Sequence, residues 1–275
     1  MHGRASGWRS FGALAAAVLF ALPLLLMVSG SLRPAGTAAP PTPDLLPDPA
    51  SLDSYPTAID LGGLGQATLV SLAVAAIAVP LSVLVASWAG FAMTQLPRRA
   101  VRLVAAASVL ALMIPVTALI VPRFVLYRLL GLTDTIVPLV LPALIATSPF
   151  YVLVYYLAFR TVPNDLYDAA RLADASPLRL WWTVAMPLVR PVTAAVSALI
   201  FVLTWSNFIE PLVYVYDRDL FTVPLALRSL SILDRADQPV FLAGAVLASI
   251  PALILFGVAQ RRFLADFRGT GWLGR

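Results

Sequence analysis

The sequence has 275 residues, of which 60% are apolar and 12% are charged, with a net charge of +5 at pH 7. A soluble domain has about twice that share of charged residues, so the composition predicts a membrane protein with several spans. There is no cysteine and no lysine, and the one histidine is His2. This excludes cysteine or histidine metal clusters, His-based triads, Schiff-base chemistry and the P-loop lysine of an ATPase. We therefore predict no catalytic residues and no metal site.

Six apolar runs are long enough to cross about 30 Å of hydrocarbon. They predict transmembrane helices over residues 11–32, 67–94, 103–126, 136–159, 192–214 and 240–259. The first run is too long for the apolar region of a typical secretory signal, so we expect a retained span. Kinks are predicted at Pro80, Pro115, Pro142 and Pro149, which membrane helices tolerate. Residues 33–66, rich in Pro, Asp and Gly, predict an irregular loop.

The arginines indicate the orientation. If the N-terminus is cytoplasmic, 13 of the 19 arginines lie in the inner segments and six lie in the outer segments or at their span ends. Cytoplasmic loops are enriched in basic residues. We therefore predict that both termini and the polar loop at residues 160–191 are cytoplasmic, and that residues 33–66 face outward. This distribution explains the positive charge without nucleic-acid binding.

The polar loop predicts two short helices joined by a turn. Thr161 or Asn164 can cap the first helix. Its apolar positions, spaced as on one helix face, are Leu166, Ala169, Ala170 and Ala173. Asp174 and Ala175 form the predicted break, after which Ser176 is a good N-cap and Pro177 suits the first helical position. This second helix is predicted to end by Met186-Pro187 and Pro191. Trp181 and Trp182 are predicted at the level of the lipid headgroups.

This loop resembles a known motif. Asp168-Ala169-Ala170-Arg171-Leu172-Ala173-Asp174-Ala175-Ser176-Pro177, followed by Pro187-Leu188 and Pro191, resembles the EAA loop of permeases in binding-protein-dependent ABC importers. Asp168 stands where that family has Glu, and Asp174 where it has Gly. A turn at that position needs a positive φ, which Asp tolerates better than most residues.

Other segments carry the same resemblance. Residues 45–55 and 131–135 resemble loops of the carbohydrate permeases in that superfamily, and residues 204–212 resemble the "WNDFLWPL" box of their fifth span. Residues 217–225 and the C-terminal tail add to this. The chain is most similar to the maltose-permease-like subunit of such importers.

The resemblance implies a fold and a function. It implies an all-α integral membrane protein with six transmembrane helices in the MetI-like permease fold, forming one domain over residues 1–275. It also implies a carbohydrate importer in a bacterial inner membrane, with a second homologous permease, an ATPase dimer and an extracytoplasmic binding protein as partners. No cofactor is expected on this chain, since ATP and Mg²⁺ would be used by the partner ATPase. The implied coupling residues are Asp168, Ala169, Ala170, Arg171, Asp174, Ala175, Ser176 and Pro177.

Polar residues in the spans are candidates for the substrate pathway. Glu210, the only glutamate, could bind a substrate or reach an arginine such as Arg218, because an ionisable group within a span is expensive. Thr204, Ser206 and Asn207 could line the pathway or bond to neighbouring helices. Arg123 could contact substrate or extend to the membrane surface.

Two other functions compete with the importer. A proton-coupled secondary transporter would use Glu210 as its acid, but no second carboxylate lies deep in another span to form a relay. A membrane enzyme or scaffold would need a reactive constellation, and the sequence offers none.

Overall fold

The structure is a computed structural model that describes residues 4–38, 45–145, 147–233 and 237–269. The described residues form helices and connecting segments, with no β-strand among them. The α-helices are α1 (Arg4–Ser31), α2 (Ser54–Gly62), α3 (Leu64–Thr94), α4 (Arg98–Leu112), α5 (Ile120–Leu129), α6 (Val137–Ile145), α7 (Pro149–Phe159), α8 (Asn164–Leu172), α9 (Pro177–Leu180), α10 (Met186–Leu188), α11 (Arg190–Trp205), α12 (Ile209–Tyr214), α13 (Val223–Leu233) and α14 (Gln238–Gly269). Two 3₁₀ turns, Val116–Leu119 and Arg218–Leu220, and one π-helical turn, Trp181–Ala185, lie between them.

Three helices are long and apolar enough to cross a membrane. They are Phe11–Ser31 within α1, the whole of α3, and Gln238–Val258 within α14. These match the predicted first, second and sixth spans. The described residues give three spans, or up to six if each of three bent helix pairs is counted as one.

The predicted third and fourth spans are not continuous helices. The third is bent by 83° between α4 and the segment Val116–Leu129, and the fourth by 41° between α6 and α7. Pro115 and Pro149 lie directly at these two breaks, as predicted, because proline disfavours helix in the residue before it and cannot donate a backbone hydrogen bond. Pro80 and Pro142 instead lie inside α3 and α6.

The described residues fall into two compact units, one drawn from residues 1–68 and 222–251, the other from 69–221 and 252–275. The expectation of one domain over the whole chain stays a prediction. In the first unit, the predicted loop at residues 33–66 is not wholly irregular, because it contains α2. The Ser54 hydroxyl, at the start of α2, donates to the Arg33 carbonyl at 2.7 Å, and the hydroxyls of Ser31 and Tyr55 lie 2.8 Å apart.

In the second unit, a buried aromatic cluster supports the polar loop. Phe91 of α3 packs edge-on against Phe159 of α7, with ring centroids 5.6 Å apart, and lies 6.2 Å from the Tyr167 ring of α8. The close approach of α3 and α7 depends on Gly90. A Cβ at that position would lie 2.7 Å from the Tyr155 Cβ and 2.8 Å from the Tyr156 backbone nitrogen. The aromatic cluster therefore fixes α8 against the ends of two membrane helices.

Candidate coupling loop and substrate pathway

The first helix of the polar loop, α8, begins without a side-chain cap. Pro163 occupies the N-cap position, and Asn164 is the first helical residue. The Thr161 hydroxyl donates instead to the Ala158 carbonyl at 2.7 Å. The predicted caps are therefore wrong, because Asn164 is already inside the helix and the Thr161 hydroxyl is bonded to the preceding segment. Asp165 in the first turn and Arg171 in the last complement the helix dipole.

The turn after α8 is a Schellman motif centred on Asp174. Asp174 has φ 53°, in the left-handed region. Its N–H donates to the Arg171 carbonyl at 3.0 Å, and the Ala175 N–H donates to the Ala170 carbonyl at 3.1 Å. These two bonds satisfy the carbonyls left free at the helix end. The prediction that Asp174 adopts the conformation usually given to glycine is confirmed.

The second helix begins and ends where the sequence predicts, with a π-helical turn in between. The Ser176 hydroxyl accepts from the Arg179 N–H at 3.3 Å, and Pro177 follows at the first helical position. The backbone then passes through the π-helical turn Trp181–Ala185 into α10, which ends at Leu188, between Pro187 and Pro191. The next helix, α11, runs at 85° to the segment Pro177–Leu188.

The apolar face predicted for α8 is not its buried face. Tyr167 is buried, and its hydroxyl donates to the Phe159 carbonyl at 3.2 Å. Burial raises the pKa of this phenol. Leu166 is exposed and Leu172 is 89% exposed. The helix is therefore anchored by Tyr167, with the half-buried Ala170 beside the same core cluster, and Leu166 and Leu172 stay exposed.

An ion pair joins Asp168 and Arg171 on the exposed side of α8. Arg171 Nη1 lies 3.0 Å from Asp168 Oδ1, and its Nη2 donates to Gln95 Oε1 at 2.8 Å. The pairing with Arg171 is the one that the i, i+3 spacing predicts. The bond to Gln95 was missed, because the two residues are 76 positions apart and the short loop after α3 gave no signal.

Trp181 is buried within the protein. It is 4% exposed, and its ring lies edge-on to Trp88 of α3 with centroids 5.6 Å apart. Trp182, by contrast, is 65% exposed. Trp181 thus packs inside the second unit and does not belong to a lipid-facing belt, whereas its depth in the membrane stays a prediction.

The predicted fifth span, residues 192–214, is broken near the candidate pathway. Helix α11 ends at Trp205 and α12 begins at Ile209. Asn207 lies in the break; its Oδ1 accepts from the Glu210 N–H at 3.3 Å, and its Nδ2 donates to Glu210 Oε2 at 2.7 Å. Asn207 therefore stabilises the start of α12 in the manner of a helix cap and orients the glutamate.

Glu210 pairs with Arg123. Arg123 Nη1 lies 3.1 Å from Glu210 Oε1, and the side chains are 20% and 15% exposed, respectively. Arg218, an alternative partner suggested by the sequence, is not the one found. The structure thus unites three of the five candidate pathway residues, Arg123, Asn207 and Glu210, in one half-buried polar cluster.

The other two candidates are placed differently. The Ser206 hydroxyl donates to the Val202 carbonyl of its own helix at 2.7 Å. Thr204 is half-buried, and its carbonyl accepts from the Asn207 N–H at 3.3 Å. Thr204 thus contributes a backbone group to the break in the span.

The side chain of Asp134 clamps the segment that follows α12, a contact that was not predicted from the sequence. Its Oδ1 accepts from the N–H groups of Tyr216 and Asp217, both at 2.8 Å, and its own N–H donates to the Tyr214 carbonyl. These backbone hydrogen bonds lower the pKa of the carboxyl. The sequence did indicate a turn at Gly131–Thr135, but it did not indicate that Asp134 in this turn binds the segment at Tyr216 and Asp217. The clamp fixes the chain that leaves α12, the helix that carries Glu210.

Comparison with known proteins places the chain in a family. Residues 78–268 match the family described as the binding-protein-dependent transport system inner membrane component. The chain is 30% identical to the arabinooligosaccharides transport system permease protein AraQ of Halalkalibacterium halodurans, over 94% of this chain and 93% of that one. It is 28% identical to the trehalose transport system permease protein SugB of Mycobacterium tuberculosis, over 89% of each. It is also 28% identical to the lactose transport system permease protein LacG of Rhizobium radiobacter, over 73% and 72%.

Solved structures share the fold. A chain of a bacterial ABC transporter involved in the import of the acidic polysaccharide alginate superposes with a TM-score of 0.77, at 20% identity, over 96% of this chain and 99% of that one. The two chains therefore share one helical fold. The length and identity of the family match establish that this multi-pass membrane protein belongs to the inner membrane components of binding-protein-dependent transport systems.

Proposed function

We propose that this chain is the permease subunit of an ATP-driven importer that moves a sugar or sugar-like solute from an extracytoplasmic binding protein into the cytoplasm. Family membership over residues 78–268 carries this conclusion. Relatives named for arabinooligosaccharide, trehalose and lactose transport support a carbohydrate as substrate. The proton-coupled alternative is not favoured, because the relatives are permease components of binding-protein-dependent systems.

The proposed topology has six spans: three are the continuous helices, the third in chain order is α4 with the segment Val116–Leu129, the fourth is α6 with α7, and the fifth is α11 with α12. Both termini and the loop at residues 160–191 lie in the cytoplasm of a bacterial cell, as the distribution of arginines supports. The outer loop, including α2, then faces the binding protein.

The segment from α8 to α9 is the proposed coupling element. We assign ATP and Mg²⁺ binding to a separate ATPase dimer. This dimer would contact the coupling element on the cytoplasmic side of the membrane. Leu172 and the paired Asp168 form the exposed contact surface, and the Schellman turn at Asp174 sets the angle between the two helices. Closure of the ATPases would then shift α8 and, through the aromatic cluster, the ends of α3 and α7. Because each ATPase subunit needs one such element, a second homologous permease completes the importer.

The cluster of Arg123, Asn207 and Glu210 is the proposed substrate contact. It presents guanidinium and amide donors beside carboxylate acceptors. A sugar hydroxyl can therefore either accept or donate a hydrogen bond at this cluster. The break between α11 and α12 supports this role, since irregular backbone at membrane depth is tolerated where it is buried or lines a cavity.

The coupling role is tested by one matched pair of variants. Leu172→Glu places a charge on the proposed ATPase contact, whereas Leu46→Glu makes the same change at a site in the outer loop that is 88% exposed. We expect a tagged chain purified in mild detergent to retain a Walker-A ATPase and a second permease. Leu172→Glu should lose the ATPase and uptake, and Leu46→Glu should retain the ATPase. Retention of the ATPase by Leu172→Glu would contradict the proposed contact.

A further inference from the structure

A cavity of about 800 Å³ opens beside the coupling helix, within the second unit. Its walls are the end of α3, the start of α4, the end of α7 and one side of α8. The charged side chains that line it are Arg98, Arg102, Arg160, Arg171 and Asp168. The lining therefore carries four cations and one anion.

Most of this positive charge is not neutralised within the described residues. Arg171 is paired with Asp168 at 3.0 Å. Arg160 lies over the Tyr156 ring, 5.8 Å from its centroid, a contact that orients the guanidinium but leaves its charge. Arg98 and Arg102, one helical turn apart on α4, have no salt-bridge partner in the part of the chain that the structure describes. The cavity thus has a net excess of three positive charges and fits an anion.

The position of the cavity indicates which anion. Its walls are the terminal residues of helices that the sequence predicts as membrane spans, so it lies at the depth of lipid headgroups. Met93, Leu96 and Val101 supply apolar surface next to the arginines. Basic pockets between membrane helices on the cytoplasmic side bind the headgroups of anionic lipids.

We propose that this pocket binds the phosphate headgroup of an anionic lipid, and that the bound headgroup links α4 to the coupling helix α8. The proposal rests on the proposed function for the orientation of the chain. One phosphate between Arg98 and Arg102 on one wall and Arg160 and Arg171 on the other would draw the walls together. Anionic lipid would thereby hold α8 in position to meet the ATPase.

Lipid retention tests the site without reference to transport. Arg98→Gln and Arg102→Gln each remove one pocket cation. Arg99→Gln is the matched control, because Arg99 is exposed on the same helix turn and does not line the cavity. The full chain would be purified in neutral detergent, titrated with phosphatidylglycerol and examined by native mass spectrometry. Each pocket variant should bind about fivefold more weakly than the wild type, and Arg99→Gln should bind like the wild type. Equal weakening in all three variants would overturn a specific site.

Uptake then tests the consequence. The importer would be reconstituted in phosphatidylcholine vesicles, with or without phosphatidylglycerol. Phosphatidylglycerol should stimulate uptake by the wild type and by Arg99→Gln, and this stimulation should be lost in Arg98→Gln and Arg102→Gln. Stimulation by free inorganic phosphate in neutral vesicles would show a soluble-anion site instead. Loss of the ATPase from the pocket variants in every lipid would show that the pocket holds an acidic protein segment. Absence of ATP-dependent uptake in all preparations, with retention intact, would count against the proposed function and not against the lipid site.

Discussion

The guanidinium of Arg123 lies 3.1 Å from the carboxylate of Glu210, although the two residues are 87 positions apart in the chain. The pair is mostly shielded from solvent, and Asn207 holds the second carboxylate oxygen at 2.7 Å. Removing one member of a buried ion pair leaves the other charge uncompensated, which costs more than replacing both. Comparing a single with a double substitution therefore separates the contribution of the pair to stability from its proposed contact with substrate.

Glu210→Ala should destabilise the chain by about 3 kcal/mol, since Arg123 then has no counter-charge in this cluster. The double variant Arg123→Leu, Glu210→Leu should recover most of that loss. Thermal unfolding of the purified chain in detergent measures both changes. If the pair contacts the substrate, the double variant will be stable but will not support uptake. Normal uptake by a stable double variant would contradict the proposed substrate contact.

Sequence reasoning worked best where a property is local. The three continuous apolar helices, the breaks at Pro115 and Pro149 and the left-handed Asp174 all follow from neighbouring residues, and each is found. Relationships across long separations could not be predicted. The partner of Glu210 was left open between substrate and an arginine, because no local signal reports which helix faces it.

The remaining errors have the same physical origin. Tryptophan is typical of lipid-facing belts, which is why Trp181 was predicted in one, but its ring packs against Trp88 on another helix. On the predicted apolar face of α8, Ala170 packs against the aromatic cluster but Leu166 is exposed, because the larger ring of Tyr167 decides which side packs. Tertiary packing thus outweighed the local pattern in both cases.

Asp134→Asn should weaken the clamp on Tyr216 and Asp217 at neutral pH. The asparagine oxygen can still accept both N–H groups and tolerates the positive φ of 60°, but the charge is lost. The folded-state pKa of Asp134 is lowered from its ordinary value of 3.8. Its stabilising contribution is therefore complete above pH 3.8 and is lost as the pH falls through the lower folded value.

The measurement is the difference in melting temperature between the wild type and Asp134→Asn as a function of pH. We expect a constant gap from pH 7 to pH 5 that narrows below pH 4. Asp219→Asn serves as the control for a nearby exposed carboxylate. A gap that narrows already between pH 7 and pH 5 would show that another group is responsible.

Gly90→Ala should destabilise the second unit by about 1–3 kcal/mol, because overpacking forces backbone shifts. The added carbon would meet backbone atoms of α7 at 2.8 Å, which cannot move as a side-chain end can. Gly65→Ala in the same helix is the control, since a Cβ there meets no described atom within 4 Å. The helix-favouring control should unfold at or above the temperature of the wild type. A wild-type melting temperature for Gly90→Ala would show that α3 and α7 are less tightly packed than in this structure.

Substitutions of Asp174 can show whether the proposed coupling loop depends on the backbone conformation at this position or on the carboxylate. Its φ of 53° is tolerated by aspartate, favoured by glycine and strained for a β-branched residue. If the conformation is what matters, Asp174→Gly will keep the ATPase bound and support uptake, whereas Asp174→Val will lose both while remaining in the membrane at normal abundance. Co-purification of the ATPase and uptake of labelled sugar measure these outcomes. If Asp174→Gly instead fails as completely as Asp174→Val, the carboxylate itself takes part in the contact, and the turn geometry alone does not explain coupling.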